Sequence, residues 1–208
     1  MSYIFANYEK AFEYSELAKQ QPVPFAMIIS AEHNFYSSLT LLAICENVNK
    51  KEKKKYLELV SKNQKIMFEW KESCPENFQC KYYLVEAERA RINGDDIMSM
   101  KLYGEAIREA SKNDFVQIEA IANELTAKFY TNKGLEKIAE VYAKESMYNY
   151  SRFGLENKSK FLEEKYNILT KQEPFIKSQG TQELSIVFKA MQTRSEERRV
   201  GKECRSRW

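Results

Sequence analysis

The sequence predicts an all-α protein, and three observations support this fold class. Glycine and proline are scarce, with six and four residues in a chain of 208, whereas Ala, Leu, Glu, Lys and Tyr are abundant. This mixture favours helix over strand. Signals that end helices recur along the chain, and small residues repeat at fixed distances from two of the glycines. A chain of this size can bury a substantial apolar core.

Prolines and glycines divide the chain into helices. Proline disfavours helix at the residue before it and suits the first turn of a helix, and glycine tolerates the left-handed conformation that follows a helix end. The breaks are Pro22, Pro24, Pro75, Gly94, Gly134 and Gly154. The predicted helices span residues 6–20, 25–47, 51–73, 77–92, 96–112, 115–132, 135–152 and 155–168. Because the connections are short, successive helices should be antiparallel neighbours that stack as hairpins.

The sixth helix carries its own start signal. Asp114 is followed by Gln117 and then by an apolar-periodic run that continues to Phe129. This order is similar to a capping box, in which the first side chain accepts a hydrogen bond from the backbone of the helix's first turn. We therefore expect Asp114 to mark the start of that helix.

Small residues repeat around Gly94 and Gly134, which lie 40 residues apart. A small residue lies seven positions before each glycine and five and twelve positions after it. These residues are Ala87, Ser99 and Ala106 in the first unit and Ala127, Ala139 and Ser146 in the second. A spacing of seven keeps side chains on one face of a helix, and two helices approach closely only where side chains are small. Ala11 and Ala18 show the same spacing near the start of the chain.

This pattern resembles the tetratricopeptide repeat, with Tyr103 at the position of the large aromatic residue. The second unit departs from the pattern because it has Ala143 there. The 40-residue spacing is also longer than the usual repeat of about 34 residues. The resemblance predicts a divergent tetratricopeptide-like α-solenoid of antiparallel helix hairpins, and an irregular helical bundle is the alternative.

A more specific resemblance covers Cys74 to Tyr166 and rests on the segments Cys74–Phe78, Ala122–Tyr130 and Arg152–Gly154. This stretch is similar to the helical-repeat region of very large multi-sensor signalling proteins. In that family the region links a Ser/Thr-kinase-like domain and a regulatory ATPase module to a GAF sensor domain and a histidine kinase. Two flanks extend the resemblance, since Asn7–Ala11 resembles the second helix of a repeat and Glu183–Gln192 resembles the helix that leads into the GAF domain.

Composition and resemblance together predict four regions. We expect a helical-repeat region over residues 1–170, a polar linker over 171–182, and over 183–193 the start of a helix that leads to a GAF domain missing from this chain. Residues 194–208 resemble the translation of a sequencing-library adapter, and we expect them to be an artefact and disordered; a functional basic tail is the alternative. Met1 would then lie inside a repeat, unless residues 6–20 are a natural capping helix.

Charge gives no support for a nucleic-acid or membrane partner. Residues 194–208 hold six of the 33 Lys and Arg and three of the 30 Asp and Glu, which leaves 27 of each sign in the rest of the chain. The basic run Lys50–Lys55 is diluted by Glu52 and neighbouring acids, so we interpret it as a solvated helix start. The apolar runs, such as Leu41–Cys45, are too short to span a membrane, and the N-terminus lacks a leader pattern. We expect a cytoplasmic location.

No catalytic, cofactor-binding or metal-binding residue is predicted, and no cofactor. Phosphate-binding and kinase motifs are absent from the sequence. His33 is the single histidine, and we expect it to pack or to hydrogen bond in a groove rather than to accept phosphate. Cys45, Cys74 and Cys80 show no metal-ligand spacing, and Cys74 is expected in a hairpin turn rather than as a reactive thiol.

The sequence therefore predicts a non-catalytic scaffold segment, a fragment of a multi-domain signal-transduction ATPase and sensor histidine kinase, whose partners are the neighbouring domains of the parent. A freestanding adaptor that binds a partner peptide or helix in its groove is the alternative. Helical repeats can bind partners on a concave face. The aromatic residues are the remaining candidates for such a surface, although we expect most of them in the core; they include Tyr82, Tyr83, Tyr103, Phe129, Tyr130, Tyr142, Tyr148 and Tyr150.

Overall fold

The computed structural model describes residues 1–19 and 27–166, and all the regular elements in these ranges are helices. The elements are α1 (Tyr8–Lys19), α2 (Met27–Ile44), α3 (Lys50–Ser73), α4 (Pro75–Ile92), α5 (Asp96–Lys112), α6 (Val116–Asn132), α7 (Glu136–Arg152) and α8 (Glu156–Tyr166). The predicted all-α class is confirmed for this part of the chain, and the helix bounds agree with the prediction to within three residues wherever the chain is described. The predicted linker, the helix at 183–193 and the tail at 194–208 lie outside the described residues.

A left-handed residue follows each of four successive helices at intervals of 20 residues. These residues are Gly94, Asp114, Gly134 and Gly154, with φ angles of 80°, 56°, 71° and 84°. In each case the next residue donates its backbone N–H, over 2.8 to 3.0 Å, to the carbonyl five residues earlier. This is the Schellman arrangement, which satisfies carbonyls that a helix end leaves open. The repeated ending makes α5, α6 and α7 equal in length, at 17 residues each.

The prediction that Asp114 caps α6 is wrong. The residue before the helix is Phe115, which makes no side-chain capping bond, and Asp114 lies one position earlier with a φ of 56°. Aspartate is one of the few residues other than glycine that visit the left-handed region. Asp114 therefore ends α5 in the position that glycine holds at the other three turns. Its place in the sequence, 20 residues after Gly94 and 20 before Gly134, is the signal that the prediction missed.

The small residues of the two repeat units all lie in the core. Ala87, Ser99, Ala106, Ala127, Ala139 and Ser146 are each no more than 1% exposed. They lie on the two pairs of helices that pack most extensively, α4 with α5 and α6 with α7. The Ser146 hydroxyl donates a 2.8 Å hydrogen bond to the Ala120 carbonyl, which ties α7 to α6 at such a point of close approach. Ala11 and Ala18 do not follow this pattern, because Ala11 is only half-buried and Ala18 is exposed.

Alternate helices also contact each other on one side of the fold. α2 contacts α4, and α4 contacts α6, whereas the odd-numbered helices make no comparable contacts with one another in the described ranges. We call α2, α4 and α6 the inner row. Core residues of this row include Phe35, Leu84 and Ile121. None of the helices described is both long and apolar enough to cross a membrane.

Gly134→Ala and Gly104→Ala should change stability in opposite directions. A Cβ at either position would meet no atom within 4 Å, so only backbone conformation differs between them. Gly134 has a φ of 71°, which alanine adopts at a cost of about 1 kcal/mol or more. Gly104 lies inside α5, where alanine is favoured by roughly 0.5–1 kcal/mol. Urea unfolding should show a loss for the first variant and a gain for the second, and equal losses would contradict the left-handed helix ending.

Candidate functional site

A line of charged side chains runs along the inner row and reaches α8. We call it the charged seam, and it consists of Glu46, Glu88, Arg91, Glu124, Lys128 and Lys158. Glu46 follows α2, and it pairs both with Arg91 of α4 and, at 3.2 Å, with Lys128 of α6. Lys158 of α8 lies 2.7 Å from a carboxylate oxygen of Glu124 on α6. The seam thus joins helices that are not neighbours in sequence.

Two members of the seam are deeply buried. The Lys158 side chain is 1% exposed, and the Glu88 side chain is 4% exposed. Arg91 binds Glu88 within α4 at 2.7 Å. Burying a charge is costly unless it is paired and hydrogen bonded, so each of these groups depends on its partner. Removal of one partner would therefore leave a buried charge without compensation.

Tyrosines of α5 and α7 donate hydrogen bonds to two carboxylates of the charged seam. The hydroxyl of Tyr103, on α5, donates to Glu88, and the hydroxyl of Tyr150, on α7, donates to Glu124 at 2.8 Å. Burial, together with the adjacent carboxylate, raises the pKa of both tyrosines well above the ordinary value. Both phenols therefore stay protonated and act as donors to the carboxylates.

The charges also set the ionisation of Glu46 and Arg91. Burial disfavours the charged form of Glu46, but Arg91 and Lys128 outweigh it and hold the pKa of Glu46 below its usual value. Burial likewise opposes the charge of Arg91, but the hydrogen bond and charge of Glu88 raise the pKa of Arg91. Glu46 and Arg91 are therefore both ionised near neutral pH.

Residues 1–7 lie beside the seam. Tyr3 and Ile4 are 8% and 3% exposed, and the Tyr3 ring lies 6.0 Å from the ring of Tyr36 on α2. Burial, with the nearby Tyr8, Glu88 and Glu124, raises the pKa of Tyr3. Burial and the same two carboxylates raise the pKa of Tyr8 to about 12. The segment therefore contacts α2 and lies within electrostatic range of α4 and α6.

His33 lies in the wall of a cavity next to this segment, consistent with a hydrogen-bonded groove residue. Its Nε2 lies 3.1 Å from the Ser15 carbonyl and 3.3 Å from the Ser15 hydroxyl. The cavity holds about 430 Å³ and is lined by Tyr3, Tyr36 and residues of α1. His33 therefore hydrogen bonds to α1 rather than to a member of the charged seam.

The cysteines and the basic run lie where the sequence indicates. Cys74 is the one residue between α3 and α4, half-buried, and the Asn77 amide donates to its sulfur at 2.9 Å. Cys45 and Cys80 are buried, which raises the pKa of both thiols. The basic run begins α3, where the Glu52 backbone N–H donates to the Asn49 side chain at 3.0 Å, and most of its lysines are exposed.

Most of the aromatic residues named in the sequence are at least half-buried, and Tyr148 is the exposed exception among them. The sequence did not indicate the seam, because its charges look like ordinary surface residues of amphipathic helices. It did not indicate the burial of Tyr3 either. In the part of the chain that the structure describes, no group of three or more His, Cys, Asp or Glu side chains is placed to hold a metal ion.

No family model, curated protein or solved structure matches the chain.

Glu124→Ala should destabilise the protein more than Lys158→Met. Without Glu124, the ammonium of Lys158 stays buried and unpaired, which costs about 3–5 kcal/mol. Methionine at position 158 removes that charge and keeps the length of the side chain, and Glu124 is 20% exposed and retains the Tyr150 hydroxyl as a donor. Chemical unfolding at neutral pH measures both losses.

The matched control is Lys144→Met, which removes the exposed member of the surface pair Lys144–Glu140 on α7, whose side chains are 55% and 22% exposed. An exposed pair contributes about 0–1 kcal/mol. If Glu124→Ala cost no more than this control, the Lys158 charge would not depend on Glu124.

Proposed function

We propose that the chain is a non-catalytic helical-repeat scaffold, built as a tetratricopeptide-like solenoid, that holds other protein segments in a fixed arrangement. The observation that carries the proposal is the 20-residue interval between left-handed helix ends. A constant interval repeats the same helix-to-helix geometry along the chain, and such repetition is the basis of a solenoid. The buried small residues at equivalent offsets in the two units support the same interpretation.

The charged seam suits a scaffold because it resists relative motion of the helices. In a solenoid each unit contacts mainly its neighbours, so bending requires small changes at each interface. Here Glu46 pairs with both α4 and α6, and Glu124 pairs with α8. Separating these helices would expose or unpair buried charges. We therefore propose that the seam fixes the curvature of the inner row.

The resemblance of Cys74–Tyr166 to multi-sensor signalling proteins suggests the larger protein in which this scaffold would act. It indicates a fragment of a multi-domain signal-transduction ATPase and sensor histidine kinase, in which this segment links the ATPase module to the sensor domains in the cytoplasm. In that setting the partners are the neighbouring domains, and kinase activity belongs to the parent. Transmission of a signal would require an element with two arrangements that both ends bias. The scaffold role requires only the fixed geometry.

The second candidate is an adaptor that binds a partner peptide or helix in its groove. The packing of residues 1–7 beside the seam favours it, because Tyr3 and Ile4 are buried there although they belong to none of the eight helices. The adaptor and the linker have the same fold. They differ in whether further domains of a parent protein precede and follow the helical repeats.

Sequencing the source DNA upstream of Met1 and through the codon for Thr193 separates the two candidates. For a linker, we expect an open reading frame that continues from residue 193 into a GAF domain, with repeat-coding sequence upstream of residue 1. A natural stop codon near residue 193 would contradict the linker and support the adaptor.

A further inference from the structure

One flank of α3 forms an open groove with an excess of positive charge. The groove holds about 650 Å³, and the charged residues that line it are Lys50, Lys53, Lys54, Lys62, Lys65 and Glu58. In the part of the chain that the structure describes, none of these five lysines forms an ion pair. Lys71 near the end of α3, in contrast, pairs with Glu72 at 2.7 Å. The positive charge of the groove is therefore uncompensated by the fold.

The lysines at the start of α3 oppose the stability of the helix. Lys50 and Lys51 lie in its first turn, where the helix dipole disfavours a cation. Lys50 and Lys54 are four residues apart on one face and repel each other. Glu52, the acid of this turn, already binds the Asn49 side chain at 2.8 Å. Residues that oppose local stability are expected at functional sites, so these lysines indicate an anionic partner.

A second cavity continues this groove between α3 and α4. It holds about 400 Å³ and shares Ser61 and Lys65 with the first. Its charges balance, because Arg89 pairs with Glu86 at 2.6 Å and the other charged residues of its wall are Lys65 and Glu69. The excess of positive charge is therefore confined to the part of the surface that precedes this cavity.

The second cavity offers an apolar contact and an open hydrogen-bond acceptor. Phe68 lines it and is 44% exposed. Gln64 also lines it and is 3% exposed, and its amide nitrogen makes two hydrogen bonds, at 2.8 and 3.1 Å. Within the described ranges, its amide oxygen has no partner. Because buried polar atoms are normally paired, this oxygen indicates a donor that comes from another molecule.

We propose that these two cavities form one docking site, the α3 groove, for an extended acidic segment of another protein. The carboxylates of the segment lie along Lys50–Lys65, an apolar side chain packs on Phe68, and a backbone N–H binds the Gln64 amide oxygen. Lys50 and Phe68 are roughly 27 Å apart along the helix axis, a distance that about eight extended residues span. The inference goes beyond the scaffold role, which requires no such surface.

The α3 groove suits an acidic protein segment better than a nucleic acid or a lipid surface. Its basic end contains lysine and no arginine, the residue that binds phosphate in a bidentate manner. Glu58 lies among the lysines and would repel the closely spaced phosphates of a nucleic acid, whereas a protein segment can place a neutral residue there. Over Lys50–Lys65 no large apolar side chain is exposed that could enter a membrane.

The test uses the full chain and two fluorescein-labelled peptides of about eight residues, titrated by fluorescence anisotropy. Each peptide has a run of glutamates at one end and a phenylalanine at the other, and the two run in opposite chain directions. We expect one of them to bind, and the variant Lys54→Glu, Lys62→Glu, Lys65→Glu to weaken this binding about tenfold or more. These lysines are exposed, so the variant should remain folded by circular dichroism.

The matched control is the variant Lys101→Glu, Lys137→Glu, Lys160→Glu, which changes the net charge equally at exposed positions of α5, α7 and α8. Because salt screens distant charges, it should change the affinity by no more than about twofold. A peptide with glutamine in place of glutamate should bind the unaltered chain about tenfold more weakly. This comparison requires no variant and therefore does not depend on how the variants fold.

Four outcomes would overturn the inference. Equal losses in the two triple variants would show that net charge, and not the α3 groove, attracts the peptide. Undiminished binding of the glutamine peptide would show that the lysines do not select carboxylates. Tighter binding of a single-stranded DNA oligonucleotide, or of phosphatidylserine vesicles, would assign the groove to another polyanion. Failure of both peptides to bind at roughly millimolar concentration would show that there is no such site. The scaffold role is tested independently by the DNA sequence.

Discussion

A left-handed residue at every twentieth position is the constraint on which the rest of the structure depends. A helix that ends in the same way each time has a fixed length, and α5, α6 and α7 each contain 17 residues. Fixed length also fixes the rotation of each helix relative to the next, since the helical period is constant. Ser99, Ala106, Ala139 and Ser146 are consequently all buried at equivalent positions of α5 and α7, which pack closely on α4 and α6.

The charged seam is a consequence of that packing. Close approach brings α2, α4 and α6 together on one side, and polar residues on their facing sides lose contact with water. Lys158, Glu88 and Arg91 each have a partner of opposite charge at hydrogen-bonding distance there. The pairs Glu46–Lys128 and Glu124–Lys158 join segments that are not neighbours in sequence and therefore depend on the register of the repeat. A shift in one helix end would separate Glu124 from Lys158, which lie 34 residues apart in sequence.

The fold was largely predictable because its determinants are local. Gly94, Gly134 and Gly154 mark helix ends, and the small residues show which faces meet. Asp114 was misinterpreted because aspartate serves both as a cap and as a left-handed residue, and only its distance from Gly94 and Gly134 distinguishes the two roles. The seam and the position of Tyr3 were not predictable, since their partners lie on helices distant in sequence and nothing local to Lys158 or Glu88 indicates burial.

The stability of Asp114→Gly, measured by urea unfolding against the unaltered chain, tests the central constraint most directly. If Asp114 ends α5 in the left-handed region, glycine relieves conformational strain and the free energy of unfolding should rise by about 0.5 kcal/mol or more. If Asp114 instead capped α6, its loss would lower the free energy of unfolding by a few tenths of a kcal/mol, roughly the cost of replacing a cap with glycine. A decrease would therefore contradict the 20-residue register.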